Sequence, residues 1–84
     1  MSWQVEIQRS AEKELKRVSG QARERIVSAV RNLSATPYPT GVAKLQNHDG
    51  YRIRVGDYRI LYTIDAEGRT VRITAIGHRK DVYR

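Results

Sequence analysis

The sequence predicts an α+β fold of order β-α-α-β-β-β, with two N-terminal helices packed on one face of a small, mostly antiparallel sheet. Three observations predict it. Apolar residues recur at helical spacing in two stretches before Ser34, and alternate at strand spacing in three runs after Gly50. The last three runs are joined by connections short enough to be hairpins, Gly56-Asp57 and the four residues "AEGR". At 84 residues the chain has room for one core, so residues 1–84 are expected to form a single domain.

The first element is "WQVEI", Trp3 to Ile7, whose alternation suits a half-buried strand. Ser10 is placed to cap a helix running to about Val18, with Ala11, Leu15 and Val18 on one stripe. Ser19-Gly20 breaks that pattern. A second helix is expected from about Gln21 to Leu33, burying Ala22, Ile26, Val30 and Leu33 and turning Arg23, Glu24, Arg25 and Arg31 to solvent. "SATPYPTG" is a loop, because each proline removes a donor and restricts the residue before it. Lys44-Leu45 begins a return toward the sheet, and "NHDG" reads as a turn. Strands follow over Tyr51–Val55, Tyr58–Asp65 and Thr70 to about Gly77.

Register decides which side chains share a face. Glycine in the first position suits Gly56-Asp57 to a type II′ turn, which sets Val55 opposite Tyr58 and Arg54 opposite Arg59. Pairing Asp65 with Thr70 then sets Ile64 opposite Val71, Tyr62 opposite Ile73 and Ile60 opposite Ala75. One face, from Tyr51, Ile53 and Val55 through Tyr58, Ile60, Tyr62 and Ile64 to Val71, Ile73 and Ala75, is expected to cover the helices. The other carries Arg52, Arg54, Arg59, Leu61, Thr63, Arg72, Thr74, Ile76 and His78. A loop one residue longer or shorter would flip the last strand and expose its hydrophobic set.

Composition narrows the partners. The formal net charge is +7, from 16 Lys and Arg against 9 Asp and Glu, which favours an anionic partner. Twelve of the basic residues are arginine, the side chain that grips phosphate bidentately. The absence of cysteine excludes disulfides and thiolate zinc sites, and two histidines, His48 and His78, are too few for a metal centre. No cofactor is expected. The N-terminus is too polar for a signal peptide and no long apolar run exists, so a cytoplasmic protein without a membrane partner is expected.

Like charges directly opposite each other destabilise a sheet, so Arg52, Arg54 and Arg59 on one face call for an anion between them. Leu61 and Ile76 beside them would form a partly dry floor that strengthens charge interactions. The tail "GHRKDVYR" extends from the last strand toward the same face. There His78, with an unperturbed pKa of about 6.5, is a natural proton carrier. Arg79 adds fixed positive charge, and Tyr83 offers a ring and a phenol. Each alone has an ordinary structural explanation. Together they make the parts of a metal-independent ribonuclease: a base for the 2′-OH, arginines for the phosphorane, an acid for the leaving oxygen and a ring to stack a nucleobase. His48 reads as loop polarity.

The strand and two helices, followed by "KL", "GYRIRVGDYRILYTI" and "IGHRKDVY", resemble the RelE branch of the RelE/ParE toxin superfamily over essentially the whole chain. The resemblance implies a toxin held inactive by a cognate, acidic antitoxin. It implies an enzyme that enters the ribosomal A site and cuts mRNA there, inhibiting translation. It further implies catalytic roles for Arg52 and Arg54, phosphate binding by Arg59, a catalytic arginine at Arg79 and substrate stacking by Tyr83. Lys44, Lys80 and Arg84 are the further basic residues expected to bind RNA. Some relatives carry lysines where this chain has Arg52 and Arg54. Arginine has a pKa above about 12 and is a poor proton acceptor, so proton transfer is expected from His78, Tyr83, Lys44 or Lys80. With one residue after Tyr83, a helix that relatives carry beyond it is expected to be absent. Two other readings are a ParE-like inhibitor of DNA gyrase, which lacks the ribonuclease residues, and a non-catalytic RNA- or ribosome-binding module.

Overall fold

The computed structural model describes residues 2–45 and 49–78. Strand β1 (Gln4–Ile7) is followed by helices α1 (Arg9–Arg17) and α2 (Gly20–Asn32). Four strands then follow: β2 (Ala43–Lys44), β3 (Gly50–Val55), β4 (Tyr58–Asp65) and β5 (Thr70–His78). The sheet order is β1-β5-β4-β3-β2. The chain starts at one edge, crosses behind the sheet as two helices, and returns strand by strand as an antiparallel meander. Only β1 pairs in parallel, with β5. The predicted fold class holds, with the two-residue β2 added where the sequence showed only a return toward the sheet.

The helices form where the apolar stripes lie. Ala11, Leu15 and Val18 from α1 and its end, and Ile26, Val30 and Leu33 from α2 and its end, are all buried. They meet Ile53, Ile60, Tyr62, Val71, Ile73 and Ile76 of the sheet in one core. Arg23, Glu24, Arg25 and Arg31 are exposed, as the spacing predicts. The cap differs. α1 begins one residue before Ser10, with Gln8 in the extended cap conformation and no side-chain cap bond. The break between the helices falls at Gly20, whose φ of +67° a side chain would strain. Tyr62 spans the core and donates its hydroxyl to Pro37 O at 2.8 Å, tying the proline loop to the sheet.

The hairpin between β3 and β4 follows the predicted register, with Val55 opposite Tyr58 and Arg54 opposite Arg59. Gly56 has φ +61°, and Arg69 is the one non-glycine described residue with positive φ, so a glycine-first turn is what forms.

The β4–β5 pairing departs from expectation halfway along. Asp65–Thr70, Ile64–Val71 and Tyr62–Ile73 pair as predicted, but the register then shifts between Tyr62 and Leu61. Leu61 faces Ala75, Ile60 faces Ile76, Arg59 faces Gly77 and Tyr58 faces His78. Thr74 is the extra residue, and its hydroxyl donates to Leu61 O at 3.2 Å inside the bulge. The physical reason is Ile76. In the unshifted register its side chain would stand on the open face, whereas the bulge buries it completely against Ile60. Burying an isoleucine stabilises by about 1.5–3 kcal/mol, which offsets a locally disrupted ladder.

Candidate RNA-binding face

The face of the sheet away from the helices carries the arginines. Arg54 and Arg59 are direct cross-strand partners in adjoining strands. The pair next to a two-residue turn's closing pair is non-hydrogen-bonded, with Cα atoms about 4.5 Å apart and side chains close. Arg52 lies two residues from Arg54 on β3, between Ala43 and Leu61 in the neighbouring strands. Arg54 is exposed, whereas Arg52 and Arg59 are half-buried with their Nε atoms out of solvent. Their stems therefore lie along the sheet, as arginine does when its aliphatic part covers apolar surface.

Further along this face a fourth arginine is paired with an acid. Arg72, opposite Glu6 of β1, places Nε and one terminal nitrogen each 3.1 Å from Glu6 Oε1. No acidic residue occupies a register position opposite Arg52, Arg54 or Arg59. Leu61 forms an apolar floor beside them, as predicted. Ile76 does not, because the bulge has turned it into the core and put Ala75 in its place. Gly77, which has no side chain, stands opposite Arg59.

The bulge also moves His78. The unshifted register put it on the arginine face. In the structure it is Tyr58's partner, and the two rings meet edge to face with centroids 5.7 Å apart. Tyr58 packs against the core on the helix side, so His78 lies across the sheet from the arginines. Lys44 is turned away too. It pairs with Tyr51, whose ring stacks on Tyr62 on the helix side. The structure thus brings Arg52, Arg54 and Arg59 together and separates His78 and Lys44 from them. Arg79, Lys80, Tyr83 and Arg84 lie outside the described residues, as does His48.

Spacing could have revealed the shift. In "VRITAIGH" the large apolar residues fall at Val71, Ile73 and Ile76, and the three-residue step breaks strand parity. Ala75, also apolar, masked it by keeping the simple alternation intact. A groove of about 700 Å³ between α2 and Val55, carrying Arg25 and Arg31, lies on the helix side and is lined by none of the predicted site residues. Among the described residues no helix is long and apolar enough to cross a membrane, and no three His, Cys, Asp or Glu side chains group as metal ligands would.

Known proteins share this architecture. The family model for the ParE toxin of type II toxin–antitoxin system, parDE, matches residues 5–83. Toxin RelE3 of Methanocaldococcus jannaschii is 36% identical over 76 residues, covering 84% of each chain. The fold superposes on the archaeal RelE–RelB complex from Pyrococcus horikoshii OT3 with a TM-score of 0.85 at 26% identity, covering 98% of this chain and 100% of the other. It superposes on the RelBE2 toxin–antitoxin complex of Mycobacterium tuberculosis with a TM-score of 0.83 at 27% identity, covering 94% and 100%. The family model carries the ParE description, while the relative and both structures are RelE proteins. The chain belongs to the RelE/ParE superfamily of type II toxin–antitoxin toxins and is a RelE-like member of it.

Proposed function

We propose that the arginine face cuts RNA: the protein is an endoribonuclease that cleaves mRNA on the ribosome and so inhibits translation. The observation that carries this reading is the Arg54–Arg59 pair with Arg52 beside it, three guanidinium groups on adjoining strands of one face. Guanidinium groups gathered on one face are favourable around a phosphate. In the reaction the substrate's own 2′-oxygen attacks the adjacent phosphorus, forming a 2′,3′-cyclic phosphate and releasing the 5′-oxygen. Charge grows on the phosphorane, and fixed guanidinium groups stabilise it more than they stabilise the ground state. Neither Arg52 nor Arg54 is suited to take the proton. With His78 and Lys44 across the sheet, that step falls to Tyr83 or Lys80, and Tyr83 also stacks a base; Arg79 and Arg84 add charge. Guanidinium groups supply the charge that a metal would otherwise supply, so the reaction is metal-independent.

The partners follow from the same reading. RelE of P. horikoshii is seen in complex with RelB, and RelBE2 of M. tuberculosis is a toxin–antitoxin complex. This chain, at +7, is expected to be held by an acidic cognate antitoxin and to act in the cytoplasm, where ribosomes are. The test maps mRNA 3′ ends in a purified translation system with and without the protein. New ends bearing cyclic phosphate, formed only with ribosomes and insensitive to chelator under conditions that keep ribosomes intact, are expected. Gyrase-linked DNA breaks, or binding without cleavage, would overturn the reading in favour of a gyrase inhibitor or a binding module.

A further inference from the structure

β1 ends at Ile7, opposite Ile73, yet β5 continues from Thr74 to His78. A strand that loses its neighbour presents N–H and C=O groups with no ladder to join. Gln8 N closes the last rung by donating to Ile73 O at 3.0 Å. Beyond it a side chain takes over. Glu14 of α1, partly buried beside Leu15, accepts a hydrogen bond from Ile76 N at 2.9 Å through Oε1. On the other side of the strand, Thr74 donates to Leu61 O at 3.2 Å. The two bonds bracket the register shift, one on the inserted residue and one on the first large residue after it. An apolar side chain at position 14 would also pack beside Ala11 and Leu15 and would need no desolvation. What a carboxylate adds is a fixed acceptor for one backbone N–H.

We propose that Glu14 is a positioning residue for the arginine face: it locks β5 in the shifted register, so that Gly77 rather than Ile76 stands beside Arg59. The inference rests on the reading of that face as an RNA-cleaving surface. Unshifted pairing would set Ile60 against Ala75 and Ile76 against Arg59, placing a branched side chain where guanidinium must meet phosphate. Both registers give Ile60 an apolar partner. A bond that exists in only one of them biases the choice between them.

The experiment uses the full chain with Glu14→Ala and Glu14→Gln. Glutamine keeps an oxygen acceptor and alanine has none. Amide exchange and cross-strand NOEs report the register, and single-turnover cleavage on programmed ribosomes reports the face. Glu14→Ala is expected to speed exchange at Ile76 about tenfold or more, the scale of a lost charge-assisted hydrogen bond. It should weaken the Arg59–Gly77 NOEs and lower the saturated rate several-fold, with the half-saturating ribosome concentration unchanged. Glu14→Gln should restore both. Unchanged Ile76 exchange in the alanine variant overturns the proposal whatever the rate does. So does a uniform loss of protection across β4 and β5 with a normal rate, since that is stability alone. If the wild-type protein cuts no RNA, the cleavage reading fails separately. The lock is then decided by the NOEs, which must weaken in Glu14→Ala and are overturning if retained.

Discussion

Arg59 stands between Arg54 on one neighbouring strand and Gly77 on the other. Its guanidinium shares a face with a like charge and is flanked by a residue with no side chain. Arg59→Ala is expected to lower single-turnover cleavage on the order of 100- to 1000-fold, with a smaller change in affinity for programmed ribosomes. Near-normal cleavage by the folded variant would remove Arg59 from the machinery. His78 gives the opposite expectation, because its ring packs on Tyr58 across the sheet. His78→Gln should alter the cleavage rate and its pH profile little, and cost about 0.5–1.5 kcal/mol of stability through the lost ring contact. Loss of an acidic limb in its pH–rate profile would return the proton-transfer role to the imidazole.

At the scale of elements, the β4–β5 pairing holds the fold and the site together. The bulge buries Ile76, sets Gly77 beside Arg59 and sends His78 to the helix side in one backbone adjustment. Truncating the residue that drives it should be expensive. Ile76→Ala is expected to destabilise by about 2–5 kcal/mol in urea denaturation, the range for a large aliphatic side chain removed from a packed core. It should also loosen the register, because alanine at 76 removes the burial that favours the shifted pairing and leaves only the backbone bond from its N–H to Glu14. A loss below 1 kcal/mol, which is about the cost of a surface change, would mean that something else holds the bulge.

Across the whole molecule, Tyr62 links three layers: the sheet it belongs to, the core it fills and the proline loop its hydroxyl reaches. Burial first, then the neighbouring phenols of Tyr51 and Tyr38, push its pKa from 10.0 up to about 12. The folded state therefore favours the neutral phenol. That contribution is fully present below the unfolded value and is lost as pH rises through the folded one. Stability should decline from about pH 10 toward 12 as ionisation of the unfolded chain pulls the equilibrium. Tyr62→Phe should flatten this alkaline limb and lower stability at neutral pH by about 1–3 kcal/mol, because Pro37 O is left without its donor. Denaturation curves across an alkaline pH series check both. An unchanged limb in the phenylalanine variant would assign the alkaline loss to other groups.

Periodicity alone determined the helices, their buried stripes, four of the five strands and the Arg54–Arg59 juxtaposition. Each depends on contacts within a few residues of chain, where apolar spacing and a glycine-first turn leave little choice. The same pattern placed the arginines on a single face, because parity in β3 and β4 is tied to the turn between them. Tertiary structure alone decided what stands beside those arginines. Ala75 and Ile76 both offered an apolar partner for Ile60, and local spacing could not rank them. The core had room for the larger side chain, Glu14 on a distant helix had an acceptor for Ile76 N, and Thr74 had a hydroxyl for the displaced carbonyl. These contacts span 13 and 62 residues of sequence, and they exist only once α1 and the sheet have packed. That packing turned His78 away from the arginines and left Gly77 at Arg59's side.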